Sequence, residues 1–272
     1  MLISIAVIAI GTELCALALV LLRNYRGEQR RRYHKSPIVG DVLGVIGTGF
    51  TVILAFVIFT AFASYQQARA DAGIESVAVR QLSSLTTFFP QPAQSQLQGD
   101  LVCYARAVIS DEWPRMASGD SSPMVDTWVV RMDQHLQAMP VQTNKEIETF
   151  NTWFQRAAER QDGRRGRLAE AAPFVPPFVW AMMILLFIVV VGYQALFANP
   201  SRPMLPQVLG IGAVAATLLT GIVLVYVLDA PFADRGALIP PSRMQTTLTV
   251  LETTYSPGAD AIPCDAAGRA SS

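Results

Sequence analysis

Four long apolar runs set the strongest limit on what this chain can fold into. They are Leu2–Leu22, Val42–Ala63, Pro176–Phe197 and Val208–Leu228, and only the first contains a charged residue. A bilayer core of about 30 Å is crossed by about 20 apolar helical residues. Because backbone groups in lipid must be hydrogen-bonded within the protein, each run predicts a transmembrane helix. The composition, 51% apolar and 15% charged, is also typical of membrane proteins.

The connection between the first two runs, residues 23–41, has the densest positive charge. Its basic residues are Arg23, Arg26, Arg30, Arg31, Arg32 and Lys35. Short loops of this kind stay in the cytoplasm, whereas a cleaved signal peptide has its basic residues before the apolar run. We therefore interpret the first run as a retained span in the cell membrane. We expect the N-terminus, residues 64–172 and the C-terminal tail to be extracytoplasmic.

The segment between the second and third runs has helical periodicity throughout. The second span continues without interruption as far as Pro90, and amphipathic stretches cover Gln94–Glu112 and a further segment bounded by prolines. Another helix is predicted to begin at Thr143, because Thr143-Asn-Lys-Glu146 is a capping box in which each of the two side chains binds a free backbone amide.

These patterns together predict an all-α integral membrane protein with four transmembrane helices. A helical soluble domain, residues 64–172, is inserted between spans two and three. The first transmembrane hairpin covers residues 1–63, and the second covers residues 173–228. Residues 229–272 form a soluble tail, whose end is rich in Gly, Pro, Ala and Ser and is expected to be disordered.

Four segments, in order along the chain, resemble one known family. They read LAFVIFTAFASYQQARADAGIESVAVRQL, YARAVISDEWPRM, RRGRL and LDAPFADRGALIPP. They are similar to the bestrophin-like family of bacterial and plant membrane proteins, named for its likeness to bestrophin anion channels. The resemblance implies a four-span helical protein, and in the channels the second span lines the pore of a pentamer. It therefore implies a homo-oligomer in a lipid bilayer, with small anions as ligands.

Two features of the sequence depart from the bestrophin channels. Those channels keep the domain between spans two and three in the cytoplasm, whereas the basic loop at residues 23–41 predicts the opposite side. The acidic cluster that forms the calcium clasp of the animal channels has no counterpart in this sequence. Orientation and gating therefore do not follow from the resemblance.

The second span has two faces of contrasting side-chain size. One face has a stripe of small residues, Gly44, Gly47, Thr51 and Ala55. The other has three phenylalanines, Phe56, Phe59 and Phe62. Small residues allow close helix packing, and apolar side chains in an oligomer can form a pore constriction. Ordinary bundle packing and lipid contact are the alternatives for both faces.

Two acidic residues stand out along the first two spans. Glu13 lies within the first apolar run, and an ionisable residue in a membrane is a functional candidate by default. It is expected either on an ion or proton path or hydrogen-bonded to a neighbouring helix. Glu75 lies on the extension of the second span and is a candidate for lining a vestibule. The alternative for Glu75 is an ion pair with Arg80 or with the arginines before span three.

Cys103 and Cys264 fall in the two segments that share a side of the membrane. In an oxidising compartment they can pair as a disulfide. Two separate buried thiols are the alternative that we favour from the sequence, since nothing in it fixes the distance between them.

Signals of an enzyme are absent from the sequence. His34 and His135 are its only histidines, and they do not form a zinc motif. Asp111 and Glu112 are adjacent and diverge on a helix, so they do not form an acid–base pair. We expect no catalytic residue, metal or cofactor, and the zero net charge gives no field that would attract nucleic acid.

Two functions are consistent with these features. The first is an oligomeric anion channel with span two around the pore. The second is a non-conducting envelope protein whose helical domain binds a partner or acts as a scaffold or sensor.

Overall fold

The computed structural model describes residues 38–140, 143–197, 203–232, 239–254 and 262–271, and within these ranges the fold is helical with no β-strand. The main helices are α1 (Ile38–Thr86), α2 (Ala93–Ala107), α3 (Pro123–Ala138), α4 (Asn144–Ala169), α5 (Pro177–Phe197), α6 (Met204–Leu228) and α7 (Ser242–Thr254). The predicted all-helical class is therefore confirmed. The first predicted span, Glu13 and the basic loop lie outside the described residues, so the count of four spans stays a prediction.

Three of the described helices are long and apolar enough to cross a membrane. These are Gly40–Thr86 within α1, Pro177–Phe197 and Met204–Leu228. As expected, α1 runs beyond the second apolar run without a break, because no proline lies between Ile38 and Pro90.

The described residues divide into two compact units. The transmembrane unit comprises the residues up to Phe62 together with Val175–Asp229, and the helical domain comprises Ala63–Phe174 together with Ala230–Ser272. The core of the transmembrane unit includes Phe50 of α1, Met183 of α5 and Val225 of α6, which are all buried.

In the transmembrane unit, α6 approaches α1 closely at a glycine. A Cβ added to Gly221 would lie 2.8 Å from a methyl carbon of Leu54. Small residues allow this kind of contact between transmembrane helices. After α6, the Asp229 carboxylate accepts a 2.7 Å hydrogen bond from the backbone N–H of Val175, so it satisfies a free amide near the start of α5.

In the helical domain, α2 is the most enclosed helix. Its apolar residues Leu97 and Leu101 are fully buried, and Trp128 of α3 and Trp153 of α4 belong to the same core. The capping box predicted at the start of α4 is confirmed: the Thr143 hydroxyl accepts from the backbone of Glu146, and the Glu146 carboxylate accepts from the backbone of Thr143.

After α2 the chain forms three short helical turns before α3 begins. The first is a π-helical turn, Val108–Glu112, and it is followed by an α-helical turn, Trp113–Arg115, and a 3₁₀ turn, Met116–Ser118. A π turn adds a residue relative to an α turn and is enriched at functional sites. Here it ends at Glu112, whose side chain points into the domain and is fully buried.

The end of the chain was expected to be disordered, and this is wrong for the C-terminal strap, residues 262–271. The strap packs on α2, α3 and the turn that follows α2 through specific contacts. Trp128 donates from Nε1 to the Gly268 carbonyl at 2.7 Å, and Ser110 donates to the Ala267 carbonyl at 2.6 Å. Arg106 donates to the Asp265 carbonyl at 3.1 Å. These bonds order a sequence that is rich in small and polar residues.

Two further features hold the strap against α2. Cys103 of α2 and Cys264 of the strap form a disulfide with an S–S distance of 2.01 Å, whereas the sequence favoured separate thiols. Gly268 has φ +78°, and an added Cβ would lie 2.5 Å from the Ala107 backbone N, so the close approach requires glycine.

We predict that loss of this disulfide destabilises the helical domain. The bond closes a loop with a sequence separation of 161 residues, and disulfides that close long loops typically contribute about 2–4 kcal/mol to the free energy of unfolding. The double variant Cys103→Ser with Cys264→Ser should lose this amount in chemical denaturation. A reductant should lower the unfolding midpoint of the wild type and leave that of the double variant unchanged. Equal midpoints for reduced and oxidised wild type would contradict the prediction.

Candidate functional site: a buried ionic network and an open helix face

Two glycines of α4 lie in close contact with α1, Gly163 with its backbone and Gly166 with the side chain of Asp71. A Cβ added to Gly163 would lie 2.6 Å from the Glu75 backbone N and 2.9 Å from the Asp71 carbonyl oxygen. A Cβ at Gly166 would overlap the Asp71 carboxylate. Backbone atoms cannot move aside as a flexible side chain does, so this packing depends on Gly163. It places the C-terminal part of α4 directly beside Glu75.

Arg167 lies at the centre of the resulting network. Its guanidinium donates to both carboxylate oxygens of Glu75, from Nε at 2.6 Å and from Nη2 at 2.9 Å. Nη2 also donates to Glu112 at 2.7 Å. The side chains of all three residues are 0% exposed. Burying a guanidinium is costly unless its charge and its N–H groups are matched, and two carboxylates provide the match here.

Arg164 extends the network towards the surface. It binds Glu112 from Nη2 at 2.5 Å and from Nε at 3.0 Å, and its Nη1 binds Asp126 of α3 at 2.5 Å. Burial raises the pKa of Glu112, but the hydrogen bonds and charges of Arg164 and Arg167 outweigh that effect, so its pKa lies below the ordinary value. Glu112 is therefore ionised at neutral pH.

Aromatic side chains pack around these charges. The Arg167 guanidinium lies 4.9 Å from the ring centroid of Trp113. Tyr104 of α2 donates its hydroxyl to Glu75 at 2.7 Å. Burial, and then the negative charge of Glu75, raise the pKa of Tyr104, so it remains a hydrogen-bond donor. These contacts complete the coordination of Glu75 and exclude water from it.

Another buried carboxylate, Asp100 of α2, lies apart from this network. His135 of α3 places Nδ1 2.7 Å from one of its oxygens, and Arg131 lies 3.4 Å from the other. Burial raises the pKa of Asp100 to about 6, although His135 and Arg131 lower it. Asp100 therefore titrates near neutral pH, unlike Glu112.

Phe56, Phe59 and Phe62 lie on an open face of α1. All three are exposed, with Phe59 at 71%, whereas the opposite face of α1 is buried in the transmembrane unit. The small-residue stripe is open as well: within the described part of the chain, an added Cβ at Gly44 or Gly47 meets no atom within 4 Å. The other two residues in the stripe, Thr51 and Ala55, are exposed. The Thr51 hydroxyl donates a hydrogen bond to the Gly47 carbonyl.

Comparisons with known proteins agree with this architecture. A family model described as the Bestrophin-like domain matches residues 10–238. The chain belongs to the Bestrophin-like family. A search of curated proteins by sequence finds no match.

Solved structures show that this Bestrophin-like protein shares its fold with bacterial bestrophin homologues. A crystal structure of a Leu-to-Thr variant of the homologue from Klebsiella pneumoniae has a TM-score of 0.70 at 13% identity, and the match covers 92% of this chain and 98% of that one. A Trp-to-Ala variant of the same homologue has a TM-score of 0.67 at 16% identity, covering 93% and 97%. A structure described as a membrane protein has a TM-score of 0.70 at 13% identity, covering 92% and 98%.

The structure corrects the first expectation for Glu75 in the Bestrophin-like chain. A fully buried carboxylate does not line a vestibule, and Glu75 instead pairs with Arg167 of the RRGRL segment. This agrees with the alternative of an ion pair to the arginines before span three. Asp111 and Glu112 diverge as their adjacency predicts: Glu112 enters the network and Asp111 binds Arg115 and Ser122.

Sequence reasoning missed the burial of Glu112 and its pairing with Arg164 and Arg167. Charged residues are usually solvated, so their types alone gave no sign of burial. The sequence did contain one signal, the spacing in Gly163-Arg-Arg-Gly166-Arg167. Two glycines on one helix face indicate a close contact beside the arginines.

No group of His, Cys, Asp and Glu suited to a metal ion occurs among the described residues, and the family match indicates no enzymatic family.

We predict that Glu75→Gln strongly destabilises the helical domain. The variant leaves the buried charge of Arg167 with one carboxylate fewer, and breaking a buried ion pair costs about 3–5 kcal/mol. The control is Glu159→Gln, which removes the carboxylate of the exposed pair with Arg156 and should cost less than about 1 kcal/mol. Adding Arg167→Met to Glu75→Gln should recover stability. Equal losses for Glu75→Gln and Glu159→Gln in chemical denaturation would count against the network.

We also predict a pH dependence that arises from Asp100. Its pKa is about 6 in the folded protein against 3.8 for an unperturbed aspartate, so between these values the folded state binds the proton more tightly. The free energy of unfolding should therefore fall by about 2–3 kcal/mol as the pH rises from about 4 to about 6. Asp100→Asn should remove this fall, whereas the exposed Asp133→Asn should retain it. Equal slopes in the two variants would exclude Asp100 as the cause.

Proposed function

We propose that this protein is an oligomeric anion channel in which α1 lines the pore. The observation that favours this function is the open phenylalanine face of α1. Phe56, Phe59 and Phe62 are exposed on a helix whose other side is packed against α5 and α6. In a symmetric oligomer, one such face from each subunit encloses a narrow apolar passage. Apolar rings of this kind gate ion flow by dewetting.

The small-residue stripe supports assembly in the same proposal. A transmembrane helix gains contact area with a second helix where Gly, Ala and Thr replace larger side chains. Gly44, Gly47, Thr51 and Ala55 provide such a surface along the N-terminal half of α1. Its occupant in the proposal is a helix of a neighbouring subunit in a homo-oligomer, and the ligands are small anions. The lipid bilayer surrounds the apolar remainder.

The disulfide bears on the orientation of the proposed channel. Structural disulfides persist in oxidising compartments and are rare in the cytosol. The bond between Cys103 and Cys264 therefore supports an extracytoplasmic helical domain and C-terminal tail, as the basic loop at residues 23–41 does. In this orientation the protein differs from bestrophin channels, which keep the equivalent domain in the cytoplasm.

A second candidate function follows from that orientation. An outward, disulfide-bonded helical domain suits a non-conducting envelope protein that binds a partner or acts as a scaffold or sensor. The buried network and the disulfide-bonded strap hold the domain together, and a binding or scaffold function would use such a domain even if the protein conducts no ions. The two candidates differ in whether the purified protein passes anions.

We predict that Phe59→Ala increases anion flux. The purified full chain is reconstituted into liposomes, and iodide entry is followed with an encapsulated halide-sensitive dye. Replacing a phenylalanine of the constriction with alanine widens and wets it, so flux should rise several-fold over the wild type. Phe178→Ala is the matched control, because Phe178 of α5 is 72% exposed against 71% for Phe59, and it should leave flux unchanged. No flux from any of the three proteins would favour the second candidate.

We predict that an impermeant maleimide labels Cys103 and Cys264 in intact cells only after reduction. The disulfide blocks both thiols, and an extracytoplasmic domain makes them reachable by reductant and label. The variant Cys15→Ser removes the remaining cysteine, so that it does not contribute to the signal. Labelling only after lysis would place the domain in the cytoplasm and contradict the proposed orientation.

A further inference from the structure

Arg160 of α4 is a buried arginine without a counter-charge. It is 5% exposed, and its Nε has no hydrogen-bond acceptor among the described residues. No carboxylate in that part of the chain lies within ion-pair distance of it. Arg164 and Arg167, one and two turns further along the same helix, each bind carboxylates. Arg160 is therefore the exception on its own helix.

The one strong contact of the Arg160 guanidinium is with an aromatic ring. Its Cζ lies 5.0 Å from the ring centroid of Tyr104. The free energy gained from a cation–π contact of this kind offsets only part of the cost of removing a buried ion from water. Tyr104 cannot add a hydrogen bond through its hydroxyl, because that hydroxyl donates to Glu75.

Three of the nearby carboxylates are bound by other arginines, and a fourth, Asp71, lies further along the helix contact. Glu75 is bound by Arg167, and Glu112 by both Arg167 and Arg164. Asp126 is bound by Arg164 and is more than half exposed, so water screens it. The buried Asp71 accepts from Gln67 and packs against Gly166, which is six residues along α4 from Arg160.

Water satisfies only part of what Arg160 requires. A water molecule accepts a hydrogen bond from Nε–H but brings no negative charge. Arginine does not lose its proton in proteins, so its charge cannot be removed by deprotonation. The missing component is therefore a negative charge, and because Arg160 is only 5% exposed, a small anion suits it better than a large one.

We propose that Arg160, stacked on Tyr104, is a binding site for a small monovalent anion of halide size. Nε–H is a fully buried donor without an acceptor among the described residues, and the ring of Tyr104 lies over the guanidinium. This site lies in the helical domain and does not depend on whether the membrane helices conduct. Its consequence is that the folded domain is stabilised by the anion.

The test compares thermal unfolding of the full-length wild type, Arg160→Met and Arg156→Gln, each purified in detergent. Sodium bromide replaces sodium gluconate at constant total salt, because gluconate is a much larger anion than bromide. Arg156→Gln is the matched control. It also removes one positive charge, but Arg156 lies one helical turn before Arg160 and is partly exposed. General effects of bromide on folding are common to all three proteins and cancel in the comparison.

The wild type and Arg156→Gln should be stabilised by bromide relative to Arg160→Met. At a ten-fold excess over the dissociation constant, the ratio of folded to unfolded protein should rise about ten-fold relative to gluconate. In gluconate alone, Arg160→Met should be at least as stable as the wild type, because it removes an unmatched buried charge. The same bromide dependence in all three proteins would overturn the proposal.

A second measurement uses only the wild type, so it tests the proposal even if Arg160→Met fails to fold. Crystals of the wild type grown in bromide are measured at the bromine absorption edge. An anomalous peak within hydrogen-bonding distance of Arg160 Nε supports the site. Density there without anomalous signal identifies a water molecule and overturns the proposal.

Discussion

The helical domain depends on the neutralisation of one guanidinium that does not reach water. Arg167 is fully buried, and its desolvation is offset only because Glu75 and Glu112 both bind it. Along the chain, Glu75 lies 92 residues from Arg167, and Glu112 lies 55 residues from it. The fold therefore has to bring α1, the π turn and α4 to one point, and a misplaced element leaves a buried charge unpaired.

Several local features follow from that requirement. Gly163 allows the backbones of α4 and α1 to approach until Glu75 reaches Arg167. The π turn ends at Glu112 and directs its carboxylate inwards, while Asp111 stays near the surface. Ser122, which caps α3, also donates its backbone N–H to Glu112 at 3.2 Å, so the start of α3 is tied to the same carboxylate.

Much of the fold could be predicted from the sequence because its signals are local. The apolar runs, the uninterrupted extension of α1 and the Thr143–Glu146 capping box each depend on neighbouring residues, and the structure agrees with them where it describes them. The sequence left the role of Glu75 open between a vestibule and an ion pair, because the choice depends on tertiary packing, and it gave no sign that Glu112 joins the same pair. The order of the C-terminal strap was missed for the same reason: its partners, Trp128 and Cys103, lie far away in sequence.

The helical domain thus combines ionic and covalent restraints, while the transmembrane unit leaves one face of α1 open. In the proposed channel, the restraints keep the soluble domain in one arrangement, and the open face of α1 is the surface that contacts other subunits. The Bestrophin-like fold agrees with that division. The functional account then depends on where the phenylalanine face of α1 lies in the assembled protein.

Single-particle cryo-electron microscopy of the full chain in lipid nanodiscs tests this account most directly. The account predicts a symmetric oligomer in which Phe56, Phe59 and Phe62 of every subunit face a central axis. A monomer, or an oligomer in which these phenylalanines contact lipid, would contradict it.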